Sequence, residues 1–105
     1  MQIQVNTEDN VKGGEALSRR VEDMLRKDLG RFASEVTRVE VHLSDENSDK
    51  KSGATDKRCL LEARPSGLQP MSASHKAETL ELAVQGAAGK LRRSLERRLG
   101  RLRGR

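Results

Sequence analysis

Residues 36–44, VTRVEVHLS, constrain the fold more than any other stretch: Val39, Val41 and Leu43 alternate strictly with Arg38, Glu40 and His42. A period of two places the apolar side chains on one face of a strand and the charged ones on the other, so the chain needs a sheet with one covered face and one wet face. The covering layer must come from segments with a different period, and two have it. In residues 15–32, Leu17, Val21, Met24, Leu25, Leu29 and Phe32 share one face at ~100° per residue. From Glu78 onward, Leu80, Val84, Ala87, Ala88, Leu91, Leu95 and Leu102 form a second stripe with Leu99 at its edge. Gly13 and Gly14 break the chain before the first helix, Gly86 and Gly89 weaken the second, and fraying is expected beyond Gly100.

Shorter alternations complete the sheet. Residues 2–6, QIQVN, point Ile3 and Val5 one way, and residues 57–64, KRCLLEAR, set Cys59, Leu61 and Ala63 against Arg58, Leu60, Glu62 and Arg64. Pro65, Ser66 and Gly67 turn the chain, and residues 68–75 can return as a fourth strand with Met71, Ala73 and His75 on one side. Residues 45–56, DENSDKKSGATD, lack apolar periodicity and read as a solvated hairpin loop open to disorder. The predicted order is β-α-β-β-β-α, an α+β fold with a four-stranded, mainly antiparallel sheet and two helices packed on one face. No repeat or linker divides the chain, so residues 1–105 are expected to form a single domain. Its core must be lean, because only 33% of the residues are hydrophobic and Phe32 is the sole aromatic.

Charge is distributed unevenly. Residues 90–105, KLRRSLERRLGRLRGR, carry eight basic side chains and one acid, a net +7, whereas residues 1–89 hold 13 basic and 15 acidic groups, a net −2. On the second helix Lys90, Arg93, Arg97 and Arg101 lie within ~80° of one another. Arg92 falls on the opposite flank with Glu96 near it, and Arg98 points close to the apolar stripe. On the first helix Arg20, Lys27 and Arg31 make another ridge, with Arg19 and Arg26 further round. Two helices on one sheet can bring such ridges together, and spaced guanidinium groups suit a phosphate backbone. A solvated outer face, and an acidic protein or anionic membrane as partner, remain open on charge alone. The membrane is the weakest of these, since the apolar stripe is needed for the core and has no aromatic anchor.

Catalytic chemistry finds little to work with. His42 and His75 sit on different predicted strands without ligand spacing around them, and Cys59 alternates with Leu61 and Ala63 as a buried thiol would. GGE at 13–15 is too short to cradle phosphate, and the acids Asp45, Glu46, Asp49 and Asp56 lack the order of a calcium loop. No catalytic residue, metal or cofactor is expected, nor a small-molecule substrate. The opening MQIQVNTEDN has no signal-peptide character, no run approaches the ~20 apolar residues of a membrane span, and the lone cysteine fits a reducing compartment, so a cytoplasmic location is expected.

In this order and spacing the chain resembles the short form of the ribosome hibernation promoting factor and ribosome-associated inhibitor family, the sigma-54 modulation protein-like proteins. The likeness rests on the MQIQV strand, EALSRRVEDMLRKDLGRF, VTRVEVHLS, KRCLLEARP, and MSASHKAETLELAVQGAAGKLRRSLERRL with its MSAS alternation. It departs from the family pattern in TLELAVQ, residues 79–85, where Glu81 stands in place of an aromatic and Gln85 in place of an acid. The resemblance implies a fold related to double-stranded-RNA-binding domains. It also implies a factor, monomeric off the ribosome, that binds the small ribosomal subunit, its 16S rRNA and ribosomal proteins, in the mRNA channel near the A and P sites, and blocks mRNA and tRNA binding under stress or in stationary phase. By position, the implied rRNA contacts are Arg19, Arg20, Arg26, Lys27, Arg31, Lys76, Lys90, Arg92, Arg93, Arg97 and Arg98, and the ridge adds Arg101. A divergent binding module whose basic helix contacts an acidic protein or another RNA is the alternative.

Overall fold

The alternation in residues 36–44 is realised as an inner strand of a four-stranded sheet. The computed structural model describes residues 1–46 and 57–102. Its elements are β1 (Gln2–Thr7), α1 (Gly14–Leu29), a 3₁₀ turn (Gly30–Phe32), β2 (Val36–Asp45), β3 (Lys57–Pro65), β4 (Met71–Ala77) and α2 (Leu80–Leu102). The order is β-α-β-β-β-α and the class α+β, as the periodicities predict. Strands lie in the sequence β1-β2-β3-β4 across the sheet. The pairs β2–β3 and β3–β4 are antiparallel, while β1 runs parallel to β2 because the connection between them passes through α1.

The register gathers the apolar positions on one face. Ile3 lies opposite Val39 and Val5 opposite Val41. Val39, Val41 and Leu43 face Ala63, Leu61 and Cys59, which lead on to Met71, Ala73 and His75. Against this face are buried Leu17, Val21, Leu25 and Leu29 of α1, Phe32, and Ala83, Val84, Ala87, Ala88, Leu91, Leu95 and Leu99 of α2. Removing a leucine side chain from water is worth about 1.5–3 kcal/mol, so Leu25, Leu29, Leu61, Leu91 and Leu95 around Phe32 build a core mainly from aliphatic side chains.

Two boundaries and one buried position differ from expectation. The first helix stops at Leu29, and the 3₁₀ turn that follows swings Phe32 into the core. The fourth strand starts at Met71 rather than 68, since Pro70 has no N–H to give to a ladder, and it runs on to Ala77. On α2 the buried stripe includes Ala83, which the leucine spacing passes over. Of the expected loop at 45–56, Asp45 closes β2 and Glu46 begins a turn; residues 47–56, like the fraying expected at 103–105, lie outside the described residues. The glycine pair does start α1: Gly13 sits at φ 131°, and a Cβ there would come within 2.7 Å of the Leu17 Cβ.

Candidate nucleic-acid interface

The second helix begins on a side-chain cap. The Leu82 amide donates to Thr79 Oγ1 at 3.1 Å and the Ala83 amide to the Thr79 carbonyl at 3.0 Å, which satisfies donors that the first turn leaves open. One turn further on, Gly86 lies directly over the His75 ring, so that a Cβ at this position would stand 2.1 Å from His75 Cδ2. The sequence reading of Gly86 as a weak point is therefore corrected: its missing side chain is what lets α2 settle on β4. His75 is half-buried on the covered face, as its alternation predicts.

Seated this way, α2 presents two unlike flanks. On the flank toward α1, Glu81 accepts a hydrogen bond from Arg20 Nη1 at 2.6 Å, and Glu96 accepts one from Arg31 Nη1 at 3.1 Å. The Arg20 hydrogen bond, helped by one from its own backbone N–H, holds the Glu81 carboxyl below the ordinary carboxylate range. The Arg31 guanidinium also lies 5.2 Å from the centroid of the Phe32 ring. On the flank toward β4, Lys90 Nζ donates to the Ser74 carbonyl at 2.9 Å, Arg97 Nη2 donates to Ser94 Oγ at 3.4 Å, and the Arg93 side chain passes beside Gly89. These partners are neutral. None of Lys90, Arg93 and Arg97 has an acidic partner among the described residues.

The two basic ridges thus do not meet across the helix pair, contrary to the groove the sequence allows. Arg20 and Arg31 of the first ridge meet the flank of α2 that carries Glu81 and Glu96, while Lys90, Arg93 and Arg97 are turned toward β4. Elsewhere, Arg26 is held by Glu22 at 2.9 Å and by the Met1 carbonyl at 3.2 Å. Arg19 and Lys27 are exposed on the outer side of α1, while Arg92 and Arg98 are half-buried on α2; all four are without an ion pair among the described residues. Lys76 reaches Glu46 at 2.8 Å, and that contact lowers the Glu46 carboxyl. The side chain of Arg101 falls outside the described residues. Pairing adds a cation that sequence reasoning missed: Arg58 lies directly opposite Lys76 on the open side of the sheet. The KRCLLEAR alternation gives the face of Arg58, but only the β3–β4 register gives its neighbour.

Cys59 is buried, and burial pushes its thiol up to about 12, which suits packing and not nucleophilic attack. No helix among the described residues is long and apolar enough to cross a membrane.

A model of the family described as sigma 54 modulation protein / S30EA ribosomal protein matches residues 3–103. Among solved structures, a ribosomal subunit interface protein from Coxiella burnetii is similar with a TM-score of 0.73 and 17% identity, over 95% of this chain and 99% of that one. The N-terminal domain of Protein Y from Thermus thermophilus is similar with a TM-score of 0.71 and 19% identity, over 92% of this chain and 98% of that one. At these identities the likeness is one of fold. A search of curated protein sequences found no match.

Proposed function

The chain belongs to the sigma 54 modulation protein / S30EA ribosomal protein family, and from that premise we propose that it is a non-enzymatic translation inhibitor that occupies the mRNA channel of the small ribosomal subunit near the A and P sites. There it excludes mRNA and tRNA during stress or stationary phase, acting in the cytoplasm as a single domain, monomeric off the ribosome. The observation that carries this reading is the β4-side flank of α2, where Lys90, Arg93 and Arg97 have no acidic partner among the described residues to offset their positive charge. A fixed helix with a row of uncompensated cations is suited to the repeating phosphates of rRNA, and no substrate chemistry is required of it.

Around that row the remaining contacts fall into two groups. Arg19, Lys27, Arg92 and Arg98, without an ion pair among the described residues, can take phosphate directly, and Arg101 is assigned to the same surface from its place in the sequence. Arg20, Arg26, Arg31 and Lys76 each hold a carboxylate and must exchange it for phosphate. The exchange returns one ion pair for another, so these four contribute less than their charge suggests.

Sedimentation of the purified chain with small subunits across a salt series tests the proposal. Binding at low salt that weakens steeply and linearly in log–log form is expected, as neutralised phosphates release counterions. A chain that stays in the unbound fraction at low salt refutes it. Competition with mRNA and initiator tRNA then separates occupation of the channel from binding elsewhere on the subunit.

A further inference from the structure

The open face of the sheet carries a grouping unrelated to the α2 ridge. Glu40 and Glu62 lie directly opposite one another on β2 and β3, and His42 is two residues along β2 from Glu40, on the same face. His42 Nε2 is 3.1 Å from Glu62 Oε1 and 3.7 Å from Glu40 Oε1, and one ligand atom from each of the three residues falls within 4.8 Å of the others. We propose that Glu40, His42 and Glu62 bind a single first-row dication of the Zn²⁺ class.

Register and charge both support this. Like charges placed directly opposite on neighbouring strands destabilise a sheet unless a cation stands between them. Arg38 supplies part of that charge, but from the far side: its Nη2 is 2.9 Å from Glu40 Oε2, which leaves Oε1 turned toward His42. Arg38 therefore orients one ligand without filling the space among the three. The two carboxylates and the imidazole thus turn three donor atoms toward one space.

The donor set chooses the ion. One imidazole nitrogen with two carboxylate oxygens suits Zn²⁺, Co²⁺ or Ni²⁺, whereas Mg²⁺ and Ca²⁺ prefer shells of oxygen alone. With metal–ligand bonds of about 2.0–2.2 Å, tetrahedrally placed ligand atoms stand roughly 3.3–3.6 Å apart. The His42 spacings of 3.1 and 3.7 Å already bracket that range, so small side-chain adjustments suffice. Water completes the coordination from the solvent side. The backbone contributes rigidity, since all three residues stand on the two inner strands of the sheet.

Titration of the full-length chain with ZnCl₂ by calorimetry, paralleled by the visible absorption of Co²⁺, tests the site. One equivalent is expected to bind and to raise the Tm. The substitutions His42→Asn and Glu62→Gln, both on the open face and checked for folding by circular dichroism, are each expected to weaken binding at least about tenfold and to abolish the rise in Tm. Histidine proton spectra are expected to show the His42 ring shifting on Zn²⁺ addition while His75, beneath Gly86, does not. Zinc uptake that is undiminished in His42→Asn overturns the proposal, as does a wild-type chain whose Tm and His42 resonances are unmoved by excess Zn²⁺.

Discussion

The two flanks of α2 carry basic residues of the same kind and put them to different ends. Toward α1, acids are interposed: Glu81 and Glu96 take up Arg20 and Arg31, and positive charge from one helix is spent on fastening it to the other. Toward β4, Lys90 and Arg97 donate among the described residues to a carbonyl and a hydroxyl, which anchor their charge in place without neutralising it. A count of arginines treats the flanks as equal. What separates them is whether a carboxylate lies within reach, and that depends on how the helix is rolled on the sheet.

The sharpest way to break this comparison is to reverse the charge on one flank. Changing Lys90, Arg93 and Arg97 together to glutamate is expected to weaken small-subunit binding on the order of 100-fold or more at moderate salt and to flatten the salt dependence, as measured by sedimentation. Next in size is an attack on what sets the roll of the helix. Gly86→Ala drives a methyl group into the His75 ring and is expected to cost ~1–3 kcal/mol in urea denaturation, part of it recovered in the double variant Gly86→Ala/His75→Ala. Arg20→Ala with Arg31→Ala sharpens the contrast from the other side, with less than about a tenfold loss of subunit binding, because each arginine gives up an existing ion pair on docking. A loss equal to that of the β4-side reversal would erase the distinction.

Smaller still is the acid partner itself. Glu81→Gln is expected to lower stability by no more than about 0.5 kcal/mol, the pair being largely exposed. Since the folded protein lowers the Glu81 carboxyl, that contribution is present at neutral pH and disappears as pH falls through the lowered value. Wild type and variant should therefore converge in acid, which denaturation curves at two pH values can check. Cys59 supplies a control with almost no expected effect: at pH 8 its thiol should resist iodoacetamide in the folded chain and react once urea unfolds it.

Much of this molecule was legible in its residues, and for identifiable reasons. Val39, Val41 and Leu43 declared a covered face by alternating, and the leucines at 91 and 95 declared a helical stripe by their spacing; both are local patterns that packing then obeys. Interactions between residues far apart in the chain were illegible. Arg20 and Glu81 are separated by 61 positions: the helical period puts Arg20 on a ridge, but nothing in EALSRRVEDML indicates that the ridge meets an acid. Glu81 looked like a departure at the start of the second helix, yet Thr79 caps that helix and Glu81 serves the helix–helix seam. Gly86 looked like a flaw because a helix taken alone is weakened by glycine; the gain comes from a histidine on another element. The Glu40–His42–Glu62 grouping was hidden for the same reason, since two of its members are adjacent only through the β2–β3 register.

The parallel pairing of β1 with β2 bears on the order in which the chain assembles. Strands β3 and β4 are joined by a short turn and can pair with little loss of chain entropy, whereas β1 reaches its place only after α1 has folded back over the sheet and β2 is in position. It then has a single neighbour, on one side. The first strand of the fold is thus among the last to be stitched in, and its backbone amides should exchange with solvent ahead of those of β3, held by strands on both sides.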